Sequence, residues 1–268
     1  MLWLSLKERE VDPLKERFLQ GKPLGLPLYD IHGHLGGFSR DYPVFSGRVE
    51  QLVAEMDRLG VKRCLVFPIG IYGAEFQFQN DKVIQACQKY RQHFSGLALV
   101  NLNYPEKEII KELERCRQAG LVGAKLIAAY QGAPAEGPGI EAVCEYASHH
   151  RWVVLNHGWG SLEFLKKILE TYRQAQYVCG HLWLAAASLV NKYDHLWMCT
   201  CAFLSPESLP EAVRTMRADR LCWGSDLSDL HWGFTLGPIV LSSLPLKVKK
   251  RILSSNTREL FRKIGVES

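Results

Sequence analysis

Short runs rich in Val, Ile, Leu, Cys and aromatic residues alternate along the chain with longer stretches whose apolar positions return every three or four residues. That is the pattern of strand and helix in turn. Strands are predicted at Leu28 to His34, Cys64 to Gly70, Phe94 to Asn101, Val122 to Ala129, Trp152 to Gly158, Gln176 to His181, Leu196 to Phe203 and Leu221 to Asp226. Helices are predicted at Gly47 to Leu59, Asp81 to His93, Glu106 to Ala119, Ile140 to His150, Leu162 to Arg173 and Glu207 to Ala218, with an Ala-rich segment turning helical from about Leu184. Gly60 and Gly120 are stop signals, and Asn256, three residues before Glu259, resembles a capping box opening a last helix.

Strands that are apolar on both faces, alternating with helices, imply an α/β protein with a parallel sheet covered on both sides. Eight such units in about 240 residues match a single closed (βα)8 TIM barrel. An open doubly wound sheet is disfavoured, because no Gly-x-Gly-x-x-Gly follows a strand. Residues 1–27, charged and amphipathic and then GKPLGLP, are expected to be an N-terminal helical extension, with residues 28–268 forming the barrel domain.

Composition narrows the partners. The 268 residues are 47% hydrophobic and 23% charged, which excludes disorder as the main state. A net charge of +5, dispersed along the chain, gives no ground for nucleic acid or an anionic membrane. The expected partner is a small-molecule substrate, and self-association into a homo-oligomer is left open. No stretch of about 18 apolar residues occurs, and MLWLSL meets Lys7, Glu8, Arg9 and Glu10 at once, so a cytoplasmic protein is expected. The eight cysteines include no Cys-x-x-Cys and mostly fall in apolar runs, where a reduced thiol packs as a small hydrophobe. Cys199 and Cys201 are assigned to the core on this basis, and the basic run Lys247, Lys249, Lys250 and Arg251 to a solvated helix face.

In such a barrel the site lies at the carboxyl ends of the strands. Strand one ends Asp30-Ile31-His32-Gly33-His34, and side chains two apart share a face, so His32 and His34 can ligate one ion. Strand five ends Asn156-His157, strand six Gly180-His181 and strand eight Ser225-Asp226. A lone strand-end histidine is more often a hydrogen-bonded structural residue, and a strand-end Asp more often a turn cap. Several of them at the ends of different strands, in an otherwise apolar barrel, point elsewhere. Three or four imidazoles and a carboxylate suit one borderline-soft divalent ion, zinc first, with manganese, iron or cobalt as alternatives. Beside such an ion Asp226 acquires a catalytic role, accepting a proton as water acidified to a pKa of about 7 attacks.

Taken in order, DIHGH, the strand-four GAKL, the strand-five NHG, the strand-six GH, the strand-eight WGSD and the closing SNTRELF resemble the amidohydrolase superfamily. Within it they resemble the amidohydrolase-related (amidohydrolase 2) branch, which includes both hydrolases and nonoxidative decarboxylases. The resemblance runs from about Tyr29 to Phe261. It implies that His32, His34, His157 and Asp226 hold a single divalent metal, and that His181 is a further ligand or a catalytic proton donor. In binuclear relatives a strand-four lysine carries a carbamate that bridges two metals. A lysine at GxKL is also common in the mononuclear branch, so Lys125 is expected to be an amine that binds substrate or pairs with a carboxylate. The chain departs from the branch at Leu182-Trp183, where Gly-Gly often follows the histidine, and at Leu227-Ser228, where a Pro often follows the aspartate.

Tyr130, Trp159, Trp183, Asp229 and His231, with Tyr72 after strand two, lie just beyond strand ends and are candidates to wall the substrate pocket. The resulting expectation is a metal-dependent hydrolase in which activated water attacks a carbonyl-type centre and His181 assists the charge forming on the substrate. The alternative is a nonoxidative metal-dependent decarboxylase of a carboxylated aromatic or enol substrate. A barrel that serves as a non-catalytic subunit is the third reading.

Overall fold

Runs too apolar on both faces to meet water become eight parallel strands, joined in chain order into one sheet. They are β1 (Leu28–Leu35), β2 (Val61–Pro68), β3 (Phe94–Leu99), β4 (Gly123–Leu126), β5 (Val153–Asn156), β6 (Gln176–Cys179), β7 (Leu196–Cys199) and β8 (Leu221–Cys222). The computed structural model describes residues 12–35, 48–68, 76–201, 205–227 and 230–266. Helices α1 (Pro13–Leu19), α2 (Val49–Leu59), α3 (Phe76–Lys89), α4 (Glu106–Gln118), α5 (Pro138–His150) and α6 (Leu162–Thr171) are followed by α7 (Ala187–Lys192), α8 (Ser208–Thr215), α9 (Trp232–Leu241), α10 (Leu246–Lys250) and α11 (Asn256–Lys263). This is a (βα)8 barrel.

Two apolar layers hold it. Outward strand residues pack against the helices. Inward residues such as Ile31, Leu65, Leu97, Val153, Val178 and Trp197 fill the lumen, and Leu260 and Phe261 of α11 join them. Tyr29 meets Phe261 edge to face at 6.0 Å. Gly60 ends α2 in the left-handed conformation at φ 81°, and Gly120 follows α4 at φ 96°, as their positions in the sequence predict.

The ring closes between β1 and β8, where the regular strand is shortest. Beyond Cys222 the chain still runs beside β1: Ile31 N donates to Trp223 O at 3.1 Å, Asp226 N to His32 O at 2.8 Å, and Gly33 bridges Leu227 in parallel. A buried carboxylate reinforces this seam. Asp30 Oδ1 accepts from His32 N at 2.9 Å and Ser225 N at 3.0 Å. Its Oδ2 accepts from Ser225 Oγ, and from Trp232 Nε1 of α9 at 2.8 Å.

Two expectations for the C-terminal segment are corrected. Lys249 is buried rather than solvated, because its ammonium donates to Asp12 Oδ2 and to Val240 O at 2.7 Å. The same Asp12 caps α1 through Leu14 N at 3.1 Å, and α1 packs against α9. Asn256 is the first residue of α11 but does not cap it. One π-turn, Arg251–Ser255, carries α10 directly into α11, and Asn256 Nδ2 donates to Ala218 O and Leu221 O, each at 2.7 Å. The side chain satisfies carbonyls at the start of β8 instead of its own helix.

Replacing Asp30 with Ala strands the Ser225 and Trp232 donors in the interior. The expected loss is roughly 3 kcal/mol or more of unfolding free energy. Urea denaturation of Asp30→Ala against the parent checks it, and a loss within experimental error would remove Asp30 from the closure.

Candidate metal centre

Five side chains from four strand ends converge at the mouth. His32 Nε2 and His34 Nε2, both from β1, each lie 3.1 Å from Asp226 Oδ1 beyond β8. His157, the residue after β5, brings its Nε2 to 3.4 Å from His32 Nε2, with the two rings stacked at 5.2 Å. The His181 ring, beyond β6, meets that of His157 at 4.0 Å and stands on the exposed side of the group. His32 and His34 are buried.

Backbone conformation aims these groups. His181, Leu182 and Asp226 have positive φ (57°, 48° and 59°), a region non-glycine residues enter rarely and at a cost of order 1–3 kcal/mol. Two glycines allow the close approach. A Cβ on Gly180 would stand 2.8 Å from His157 Cδ2, and one on Gly224 would stand 2.8 Å from His32 Cβ while overlapping Cys199 Sγ.

The electrostatics follow from burial and crowding. Burial, and then the neighbouring Lys125 ammonium, push the His32 and His157 imidazoles down, so both rings are neutral. Burial alone would raise Asp226, but its contacts with His32 and His34 outweigh that and hold it below the usual carboxylate range. Burial also works against protonated His181, and the Cys201 sulfur more than offsets it, leaving the pKa above the ordinary imidazole value. Lys125 of β4 is fully buried, its Nζ without a hydrogen-bond partner and 4.6 Å from the centroid of the Phe67 ring, and burial pushes it down to about 7.

These spacings fit an ion. Nitrogen and oxygen ligands about 2.0–2.1 Å from a tetrahedral centre lie roughly 3.4 Å apart. Among the described residues two overlapping triads have ligand atoms within 4.8 Å of one another: His32, His34 and Asp226, and His32, His157 and Cys201. An imidazole nitrogen carries at most one hydrogen, so His32 Nε2 cannot satisfy Asp226, His157 and Cys201 by hydrogen bonding alone. His34 Nδ1 is likewise buried without a partner.

A family model described as Amidohydrolase matches residues 29–263. The chain belongs to the amidohydrolase family. Among curated proteins nothing matches its sequence. Among solved structures it is similar to 2,6-dihydroxybenzoate decarboxylase from Rhizobium, with TM-score 0.69, 13% identity, and 88% of this chain and 98% of that one covered. A probable 2-pyrone-4,6-dicarboxylic acid hydrolase from Acinetobacter baumannii, with citric acid bound, gives TM-score 0.68 and 17% identity over 88% and 100% of the two chains. Dihydroxybenzoic acid decarboxylase from Polaromonas sp. JS666, with bound manganese and 2-nitroresorcinol, gives TM-score 0.71 and 14% identity over 88% and 97%. At such identities the likeness is one of fold. Family membership and the donor cluster together support a metal-dependent enzyme of the amidohydrolase superfamily.

The expected pocket walls divide. The exposed Tyr130 ring stands 6.4 Å from that of His157, edge to face, at the rim. Trp159 turns away from the mouth: it is buried between the barrel and its helices, donates to Val178 O at 3.4 Å and packs on Tyr177, because that layer covers its whole indole. Trp183 packs against the same outer layer. His231 caps α9, accepting from Gly233 N at 2.8 Å, while its Nε2 lies 2.9 Å from Glu55 Oε1. Tyr72 and Asp229 lie outside the described residues. Among the described residues Lys125 hydrogen-bonds to no carboxylate.

Cys201 is the residue that sequence reasoning passed over. It is buried in the lumen with Cys199, as core assignment predicts, yet its Sγ lies 3.8 Å from His32 Nε2 and 3.6 Å from His181 Nδ1. The same alternation that pairs His32 with His34 was its available signal: Cys199 and Cys201 are two apart at a strand end.

Protein purified without chelators is expected to hold close to one divalent ion per chain, and His32→Ala to lose it, by elemental analysis. A ratio near two would overturn the single-ion assignment and bring back a carbamylated, bridging Lys125. Lys125 also makes a pH prediction. In the metal-free protein its folded pKa of about 7 lies below the ordinary 10.5, so the unfolded chain binds the more protons between those values and this residue's contribution to stability rises with pH there. Urea unfolding at several pH values should show Lys125→Met losing stability relative to the parent as pH rises from about 7 to 9. A constant difference would mean that Lys125 stays charged.

Proposed function

We propose that the protein is a metal-dependent hydrolase that attacks a carbonyl-type centre in a small molecule. The observation that carries this reading is Asp226, a carboxylate kept ionised at the edge of the donor cluster by two imidazoles at 3.1 Å. When bound, a divalent ion supplies a Lewis acid and an acidified water, with zinc the first choice for this donor set. Asp226 is then the acceptor of the proton that attack releases, and its left-handed backbone holds the carboxylate facing the β1 imidazoles. His32, His34 and His157 would hold the ion beside it. His181, on the open side, is positioned to donate to the oxygen on which charge develops.

A second reading, nonoxidative decarboxylation, draws on the same His181. An imidazole facing the opening, with its pKa raised by the Cys201 sulfur, is a proton source for a carbon once protonated, and two of the similar folds belong to decarboxylases of hydroxylated benzoates. The two reactions differ in what leaves: hydrolysis puts solvent oxygen into the product, and decarboxylation releases carbon dioxide without it.

No helix among the described residues is long and apolar enough to cross a membrane. With eight unpaired cysteines, a reducing cytoplasmic setting and a small-molecule partner remain our reading.

The metal-loaded protein assayed in isotopically labelled water against lactones, esters and cyclic imides, and against carboxylated phenols, separates the two reactions. Uptake of label supports hydrolysis, and carbon dioxide without label replaces it with the second reading. Asp226→Asn is expected to fold normally by circular dichroism and to lose turnover by roughly 10²–10⁴-fold. Near-parental turnover would remove Asp226 from the mechanism.

A further inference from the structure

The geometry points to Cys201 as a thiolate ligand of the same centre, a soft donor that biases the site toward zinc and cobalt and away from manganese. The inference rests on the metal-centre reading above and adds to it a ligand from the seventh strand.

Three observations converge on the sulfur. Cys201 Sγ approaches donors from two other strand ends, His32 Nε2 at 3.8 Å and His181 Nδ1 at 3.6 Å. With His32 and His157 it forms one of the two groups whose ligand atoms lie within 4.8 Å of each other. For an ion with Zn–N of 2.0–2.1 Å and Zn–S of 2.3 Å, adjacent nitrogen and sulfur ligands lie roughly 3.1–3.6 Å apart, and Cys201 Sγ stands 3.8 Å from His32 Nε2.

Hydrogen bonding accounts for one side of this arrangement, the contact between Cys201 Sγ and His181 Nδ1, and leaves the approach to His32 Nε2 unexplained. A thiol has a single hydrogen, and His32 Nε2 is already shared between Asp226 and His157. Cys199 makes a useful contrast. Its Sγ lies 3.9 Å from the other nitrogen of His32, Nδ1, and 3.2 Å from Cys201 N, the place of a supporting group beneath the ligands. The two cysteines, alike in sequence, fall on opposite edges of the same imidazole.

Charge and softness give the consequence. With Asp226 and Cys201 both anionic, a divalent ion is neutralised by its own ligands in a buried place, and the thiol proton leaves to solvent on binding. Thiolate favours zinc and cobalt over manganese, whereas imidazole and carboxylate discriminate less. The manganese-holding relative is therefore a guide to this chain's fold and a poor guide to its metal.

Cobalt(II) added to chelator-stripped protein provides the test, because thiolate ligation produces a near-ultraviolet charge-transfer band that imidazole and carboxylate do not. The parent protein is expected to show that band at saturation, Cys199→Ser to keep it, and Cys201→Ser to lose it while still binding cobalt. In competition, the preference for zinc over manganese should fall at least roughly 10-fold in Cys201→Ser. Cobalt bound with its visible bands but no charge-transfer band in the parent would overturn the thiolate ligand and leave the metal centre standing. Failure to take up cobalt at all would overturn both. The parent spectrum needs no variant, so it decides the question even if Cys201→Ser does not fold.

Discussion

One buried carboxylate, Asp30, is the constraint on which the rest of the site depends. Its oxygens receive the backbone of His32, the backbone and hydroxyl of Ser225 and the indole of Trp232, so the first strand, the last strand and α9 meet on one side chain. A carboxylate taken out of water is tolerable only when so many donors surround it. Satisfying Asp30 therefore fixes the position of Ser225, and with it the next residue, Asp226. The barrel seam and the place of Asp226 are set by the same hydrogen bonds.

Around that seam the structure accepts backbone strain and crowding to gather basic groups. His181, Leu182 and Asp226 adopt left-handed conformations, and Gly180 and Gly224 give up side chains so that His157 and His32 fit. The result is a crowded set of imidazoles and one ionised carboxylate, with a desolvated lysine near enough to push His32 and His157 down. Such a cluster costs stability in isolation, and a divalent cation relieves it by turning mutual crowding into shared coordination. His181 remains at the open side, able to face whatever enters.

Much of this was readable from residue pattern. The eight apolar runs are the eight strands, because side chains buried on both faces leave a periodicity of their own. The strand-end histidines were legible because residues two apart on β1 share a face, which places His32 and His34 together. The misreadings share one cause: each concerned a side chain whose role depends on an element distant in sequence. Lys249 reads as solvated until Asp12 is placed beside it, and Trp159 as a pocket wall until the helix layer covers it.

The sequence by itself determined the parallel barrel, the family and the strand ends at which the candidate ligands stand, since these follow from local periodicity and from motifs a few residues long. Tertiary structure alone decided that Asp30 closes the ring, that Lys125 has no hydrogen-bond partner among the described residues and that Cys201 joins the histidines while Cys199 meets the other edge of His32. Periodicity tells which way a side chain points along its own strand. Distances of three to four ångströms between strands depend on twist, closure and the glycines that permit it, and those are properties of the whole ring.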